Sequence, residues 1–454
     1  VRDVELVLEE PDQTETQDSL SYKGINVKYT KPLDVKPKVL ARSMHLLPGD
    51  TYAFWRQNRT QTSLARLGIF KYTNLNVTRA DSVKNGSYGM LDFSINAVYD
   101  LPIETEIEVD VSSKSNNLLG PGLSFSITNK NLFGGGENLS FKLNGAYEWE
   151  VGNKQANSNS GLINSYELGL NVGLSLPRLL VPNFLKSNKD FAERTHFQIG
   201  MDFLNRHTFF RMISFTGSTS YDFQSSWRVY HTITPLKLSY THLLRTSKEF
   251  DETMENNPAI AMSFKNQFIP SMAYTYTYDR AATTRNPNRF YWQNMIMSSG
   301  NILSAIQYIS GDHQGQGKKI FGNIYSQFLK LTSEVIVYRK VTETSILATR
   351  FMGGIGYAYG NSRVMPYSEQ FYIGGANSIR AFTIRSIGPG SYHQKSDNKT
   401  AYLDQTGDIK LEGNIELRFK IAYRLNGAIF LDAGNVWLLR NDSKRPGGEF
   451  KLAG

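Results

Sequence analysis

From residue 103 onward, apolar and polar residues alternate over runs of about 10–15 residues, longer than the usual five or six of globular strands. In "IETEIEVDV", Ile107, Val109 and Val111 fall on one face and Glu106, Glu108 and Asp110 on the other. "NLSFKLNGAYEWE" sets Leu139, Phe141, Leu143, Tyr147 and Trp149 opposite Ser140, Lys142, Asn144 and Glu148. "SYELGLNVGLSL" carries six apolar positions from Tyr166 to Leu176 against Glu167, Asn171, Ser175 and two glycines. "HFQIGMDF" and "SMAYTYTYD" continue the theme, the latter stacking Tyr274, Tyr276 and Tyr278 in a column. A period of two means one apolar face, which a soluble β-sandwich would press against a second sheet. Three features favour lipid instead. The runs match the length of a tilted membrane strand, Tyr and Trp gather toward strand ends, and the opposite face is charged and glycine-rich, as a wet lumen would be. Lipid offers no partner to an open sheet edge, so such strands must close on themselves.

The expected fold is therefore an all-β transmembrane barrel. Eleven strands start near residues 103, 121, 138, 164, 195, 209, 227, 260, 289, 322 and 345, and "KLEGNIELRFKIAY" and "NGAIFLDAGNVWLL" add two. Closed bacterial barrels usually have even strand numbers. With thirteen runs and an end at "EFKLAG", the expectation is a sixteen-stranded antiparallel barrel over residues 100–454, incomplete at its C-terminus, with a long extracellular loop at 361–410.

Composition narrows the function classes. No apolar run approaches the roughly 18–20 residues of a spanning helix, while 25 Tyr, 26 Phe and 37 Gly suit a sheet with aromatic interfaces. Cysteine is absent, which removes disulfides, thiolate metal sites and a cysteine nucleophile. "VRDVELVLEE" lacks the pattern of a signal peptide, so the chain is expected to begin after processing or after upstream sequence. The net charge of +9 is scattered, which suits anionic lipid or lipopolysaccharide better than nucleic acid. None of the seven histidines forms an H-E-x-x-H pair, and "GLSFS" fails the G-x-S-x-G pattern. "GGGEN" at 134–138 lacks the Gly-Lys-Ser/Thr of a phosphate loop and reads as a turn between strands. No enzyme, metal or cofactor is expected.

Residues 1–99 read as a small α+β unit. "VRDVELVLEE" and "GINVKYT" are strand pieces around the polar loop "PDQTETQDSLSYK". A helix begins at Pro37, puts Leu40, Met44 and Leu47 on one face and stops at Pro48-Gly49. A second carries Thr60, Leu64 and Leu67 and ends at Gly68. "KYTNLNV" and "GMLDFSINAV" follow as strands around a turn at Asn85-Gly86. With "LARLGIFKYTNLNV" after the second helix, this order resembles a POTRA domain, the periplasmic module of the BamA/TamA family of outer-membrane assembly barrels. Such domains receive client chains at an exposed sheet edge.

The resemblance becomes specific in "FYIGGANSIRAF". That family folds its sixth extracellular loop back into the barrel with a Gly-Gly…(Val/Ile)-Arg-Gly-(Phe/Tyr) motif. Gly374, Gly375, Ile379, Arg380 and Phe382 match it, and Ala381 replaces the usual glycine, making the backbone there less permissive. In the family the arginine pairs with acids on the next two strands, which the resemblance places at Glu416 in "GNIELRF" and Asp432 in "FLDAGNVW". A guanidinium between two carboxylates is a structural latch without bond-making chemistry.

The resemblance implies insertion or translocation of outer-membrane or surface proteins, with unfolded clients, accessory subunits and outer-membrane lipid as partners. The implied mechanism is lateral opening at a seam involving the first strand, with Ile107, Val109 and Val111, while residues 1–99 lie in the periplasm. "NSIRAF" and the polar insertion in the first domain resemble a TamA-type lipoprotein branch. Two alternatives stand beside this reading. A two-partner-secretion transporter shares the loop motif, and a passive or gated solute pore would have no use for the N-terminal unit.

Overall fold

The computed structural model describes residues 1–10, 18–30, 33–80, 89–113, 118–150, 164–181, 191, 193–206, 210–256, 266–281, 288–311, 317–320, 322–392, 405–443 and 445–451. Residues 1–99 form a five-stranded mixed sheet and two helices. β1 (Asp3–Glu9), β2 (Asp18–Tyr22), β3 (Ile25–Tyr29), β4 (Phe70–Arg79) and β5 (Leu91–Tyr99) pair in the order β2-β3-β1-β5-β4. Central β1 runs parallel to β3 and β5, pairing Leu6 with Val27 and with Ile95. Its alternation buries Val4, Leu6 and Leu8, and α1 (Pro37–Ser43) and α2 (Phe54–Ala65) cover that face with Leu40 and Leu64.

Two expectations for this unit change. The first helix ends at Ser43, well short of Pro48-Gly49. Met44 takes an extended conformation, so Met44 and Leu46 alternate into the core while His45 turns toward α2. There its N–H donates to Thr60 Oγ1 at 3.0 Å, and its Nε2 lies 2.9 Å from Ser63 Oγ. The loop expected between the first two strands contains β2, which turns into β3 at Lys23-Gly24 with φ 54° and 80°. Left-handed φ at both centres matches the twist of a two-residue hairpin. The turn expected at Asn85-Gly86 lies outside the described residues.

Val1–Glu108 forms one compact unit with Ser124–Leu143 and Leu170–Gln198. Within it, the loop before α1 meets the turn at 131–137. The Lys36 N–H donates to Gly134 O at 2.8 Å, Asn131 Nδ2 donates to Asp34 O at 2.9 Å, and Lys130 Nζ donates to Asp100 at 2.7 Å. "GGGEN" is a turn, closed by buried Glu137, which accepts the Gly135 N–H at 2.8 Å and pairs with Arg178 at 3.1 Å.

Thirteen strands form a second sheet in chain order: β6 (Ile103–Ser113), β7 (Leu118–Lys130), β8 (Asn138–Glu150), β9 (Asn164–Leu176), β10 (Glu193–Arg206), β11 (Phe210–Ser226), β12 (Val229–Thr246), β13 (Gln267–Arg280), β14 (Arg289–Ser299), β17 (Phe328–Thr342), β18 (Ser345–Ala358), β19 (Ile409–Ala422) and β20 (Leu425–Trp437). The short β15 (Lys319–Ile320) and β16 (Asn323–Ile324) pair only with each other. The ladders from β11 to β20 are antiparallel. The eighth and tenth strands begin at Gln267 and Phe328, later than the expected 260 and 322. The delay in the tenth has a visible cause: Asn323 and Ile324 pair with the β15 hairpin, and Tyr325 is fully buried before the ladder begins. Among the described residues, two α-helices in the loops escaped the period-2 reading, α3 (Lys248–Asn256) and α4 (Asn301–Ile309).

The alternation holds at the level of exposure. In β19, Leu411, Ile415 and Leu417 are exposed on one face, whereas Lys410 and Glu412 are buried on the other. Among the described residues β6 pairs only with β7 and β20 only with β19, so each is an end of the sheet order.

In the N-terminal unit, Leu6→Ala removes a fully buried side chain at the centre of the sheet, a cost of about 2–5 kcal/mol. Hydrogen exchange on the intact chain should speed up in β1, β3 and β5 while β17–β20 keep their protection.

Candidate functional site

The segment after β18 runs from residue 359 to 408, with 393–404 outside the described residues. It is tied down at both ends of its described part. Phe371 and Gly407 exchange backbone hydrogen bonds of 2.9 Å in both directions, and the Arg385 N–H donates to Ile373 O at 2.9 Å. Phe371, Ile373 and Ile379 pack with Val436 of β20 in one buried cluster. Gly354 of β18 lets the loop come this close, because a Cβ there would lie 2.5 Å from the Phe371 ring.

Gly374 and Gly375 hold φ of 104° and 99°, a region that disfavours side chains. A Cβ on Gly374 would also lie 2.1 Å from Thr383 O. The Gly375 N–H donates to Phe382 O at 2.8 Å, closing residues 375–382 into a tight bend. Ile379 anchors the bend inside, and Arg380 projects onto the polar face of β19 and β20.

Arg380 meets Asp432 through three contacts: Nε and Nη2 at 2.8 Å each to the two carboxylate oxygens, and the backbone N–H at 3.1 Å. Its Nη1 donates to Glu416, and the Phe430 ring lies 3.5 Å beneath the guanidinium. The strand register explains the convergence. Asn414 faces Asp432 and Glu416 faces Phe430, all on one face of the β19–β20 ladder. The fork of Arg matches a carboxylate in bidentate geometry while its flat surface stacks on an aromatic ring. These bonds, led by the one to Asp432, push the Arg380 pKa still higher, so its charge is permanent.

The structure thus brings together Gly374, Gly375, Ile379, Arg380, Glu416 and Asp432. Phe382 stands apart from them, with its ring 54% exposed, and contributes its carbonyl. Ile107, Val109 and Val111 lie on β6, at the other end of the sheet order, with exposed side chains. Ala381 has φ 69°, the left-handed region that costs a non-glycine residue about 1–2 kcal/mol.

A second ion cluster beside the first was missed in the sequence. Arg350 of β18 pairs with Glu334 of β17 at 2.5 Å and with Glu412 of β19, and its Nη1 donates to Asn414 Oδ1 at 3.1 Å. Glu412, whose side chain is 0% exposed, also takes Lys410 at 2.9 Å and the Ser378 hydroxyl at 2.5 Å. Asn414 joins the two clusters, donating to Ser378 O and to Asp432 Oδ1, both at 2.9 Å. Four cations, Arg350, Arg380, Lys410 and Arg418, stand against four carboxylates, Glu334, Glu412, Glu416 and Asp432. Charges withdrawn from water survive when paired and hydrogen-bonded, as Lys410, Glu412 and the Asp432 carboxylate are here. The available signal was Glu412, Asn414 and Glu416 recurring at every second position of β19.

Residues 131–451 match the model of the Omp85 superfamily domain. The chain belongs to the Omp85 superfamily. Among curated relatives, it is 28% identical over 167 residues to "Sorting and assembly machinery component 50 homolog A" of Xenopus laevis, covering 35% of this chain and 31% of that one. It is 34% identical over 89 residues to "Outer membrane protein assembly factor BamA" of Neisseria meningitidis serogroup B, covering 18% and 11%. The matched segments therefore span less than a third of either relative. Among solved structures, BamA from Haemophilus ducreyi lacking POTRA domains 1–3 superposes with a TM-score of 0.57 at 13% identity, covering 97% of this chain and 72% of that one. The fold of this Omp85 protein is accordingly an outer-membrane β-barrel with a small α+β region before it.

Two substitutions probe the latch in opposite directions. Ala381→Gly should stabilise the loop by about 1 kcal/mol by removing the left-handed penalty, seen as slower proteolysis between residues 371 and 392. Asp432→Asn strips the bidentate partner from Arg380 and should cost about 3 kcal/mol, seen as faster cleavage of the same segment.

Proposed function

We propose that this Omp85 protein inserts or translocates outer-membrane or surface proteins, using no cofactor and making or breaking no covalent bond. The observation that carries the reading is the loop returned onto the polar face of the strand wall and locked there by Arg380 between Asp432 and Glu416. A solute pore would have no use for the N-terminal α+β unit, whereas a machine that opens at a seam needs the rest of its wall held together. The latch and the Arg350 cluster together cross-link β17, β18, β19 and β20 through their side chains.

In this reading β6 is the mobile edge. It ends the sheet order, and its outward residues Ile107, Val109 and Val111 would sit at the seam where a client strand adds. The N-terminal unit lies in the periplasm and presents clients. Its sheet has β2 and β4 as edges, and ten-residue β4 offers the longer row of free backbone groups. Clients are unfolded outer-membrane or surface proteins, and accessory subunits deliver them.

Replacement of Arg380 by alanine, and separately by glutamate, in cells depleted of the wild-type copy tests the reading. The expected result is loss of client assembly while the variant barrel itself still folds and reaches the membrane, with glutamate the more severe. Normal assembly of several clients by a well-folded R380E protein would sink it. This chain brings no cysteine of its own, so a disulfide can also be engineered between β6 and the final strand of the closed barrel. Locking that seam should stop assembly, and reduction should restore it.

A further inference from the structure

Helix α4 lies in the loop between β14 and β17 and is a nine-residue element, "NILSAIQYI", without a single charge. Its polar side is tied firmly to the protein. Asn301 Oδ1 accepts from Gln327 Nε2 at 3.0 Å and from the Tyr359 hydroxyl at 2.8 Å, and the Tyr325 hydroxyl donates to Gln307 at 2.9 Å. Gln307 Nε2 in turn donates to Lys319 O at 3.1 Å, fastening the β15–β16 hairpin alongside. At its start, Gly300 packs so closely that a Cβ would meet Ser326 O at 2.5 Å.

Among the described residues, the apolar side has no protein cover. Ile302, Ile306 and Ile309 recur at the spacing of one helix face and are 53%, 53% and 84% exposed, and no residue of the helix is buried. A nine-residue helix reaches only about 14 Å, too short to cross a bilayer. Held rigidly with its isoleucines outward, it suits the plane of a membrane interface.

Under the helix runs an apolar groove of about 230 Å³, lined by Leu236 and Leu238 of β12, Phe268, Pro270 and Met272 of β13, and Leu303 with the rim residue Ile302 of α4. The strand residues among these belong to the outward face, which also carries Tyr274 and Ile296. The groove is therefore continuous with the band that meets lipid. Ile320 closes one end, and its neighbour Lys319 is exposed.

We infer that α4 and the wall strands β12 and β13 form a lipid site, in which one acyl chain of a membrane phospholipid fills the groove. The inference rests on the membrane reading of the strand wall. It assigns α4 the role of holding one lipid at a fixed place on the wall.

The absence of cysteine permits single-site nitroxide labels on the full chain in vesicles of phosphatidylethanolamine and phosphatidylglycerol. Ile306→Cys reports on the helix, Ile415→Cys on the outward face of β19, and Lys23→Cys on water. The expected result is that the labels at 306 and 415 relax with oxygen and are shielded from a water-soluble nickel complex, unlike the label at 23. Nickel access at 306 with shielding at 415 would overturn the inference alone. Access at both would overturn the membrane reading with it. Native mass spectrometry of protein extracted from the same vesicles should show one retained phospholipid. Leu303→Trp from the helix side and Leu238→Trp from the wall side fill the groove, and each should lose it. An unchanged lipid in both variants, or a second protein chain in place of lipid, would overturn the site.

Discussion

One guanidinium held by two carboxylates on adjacent strands fixes the long loop onto the strand wall of this protein. Arg380 reaches its partners only because the loop folds back onto the polar face, and the loop folds back only because Phe371, Ile373 and Ile379 find an apolar seat against Val436. Neither contribution suffices alone. The apolar cluster is small, and an ion pair taken out of water gains little unless every lone pair and proton is satisfied. Here Asp432 takes two guanidinium contacts, a backbone N–H and the Asn414 amide, so its desolvation is offset bond by bond.

The neighbouring cluster around Arg350 extends this logic across two more strands. Glu412 binds Arg350, Lys410 and Ser378, and Ser378 Oγ accepts the Gly374 N–H at 3.2 Å. The Gly-Gly bend and the strand wall are thereby held by two charged residues of β19, Glu412 beneath the bend and Glu416 beneath Arg380. These contacts brace the wall from β17 to β20 through its polar side chains.

The left-handed Ala381 is the point where the latch carries strain. Its φ is imposed by the closed bend, since Gly375 hydrogen-bonds across it to Phe382 while Arg380 is drawn down onto Asp432. Residues held in costly backbone regions persist where surrounding contacts over-determine them, and such places are often functional.

Much of the fold was legible in the sequence, because a strand between lipid and water writes its two faces directly into alternate residues. That pattern alone located thirteen strands, eleven of them starting within three residues of their observed positions. It also placed Glu416 on the polar face. What it could not reach were the elements decided by distant contacts. α1 stops at Ser43 because Met44 and Leu46 pack better extended, and β2 exists because β3 offers it an edge. α4 is short and apolar, and nothing in its own nine residues says whether protein or lipid covers it. The Arg350–Glu412 cluster lay hidden for the same reason: five charged or polar residues on three strands meet only once register is set, and register is a property of the assembled sheet. Local chemistry determined which faces are wet and which are dry. Only the tertiary structure decided which charges share a site, because pairing buried charges needs geometry that alternation does not contain.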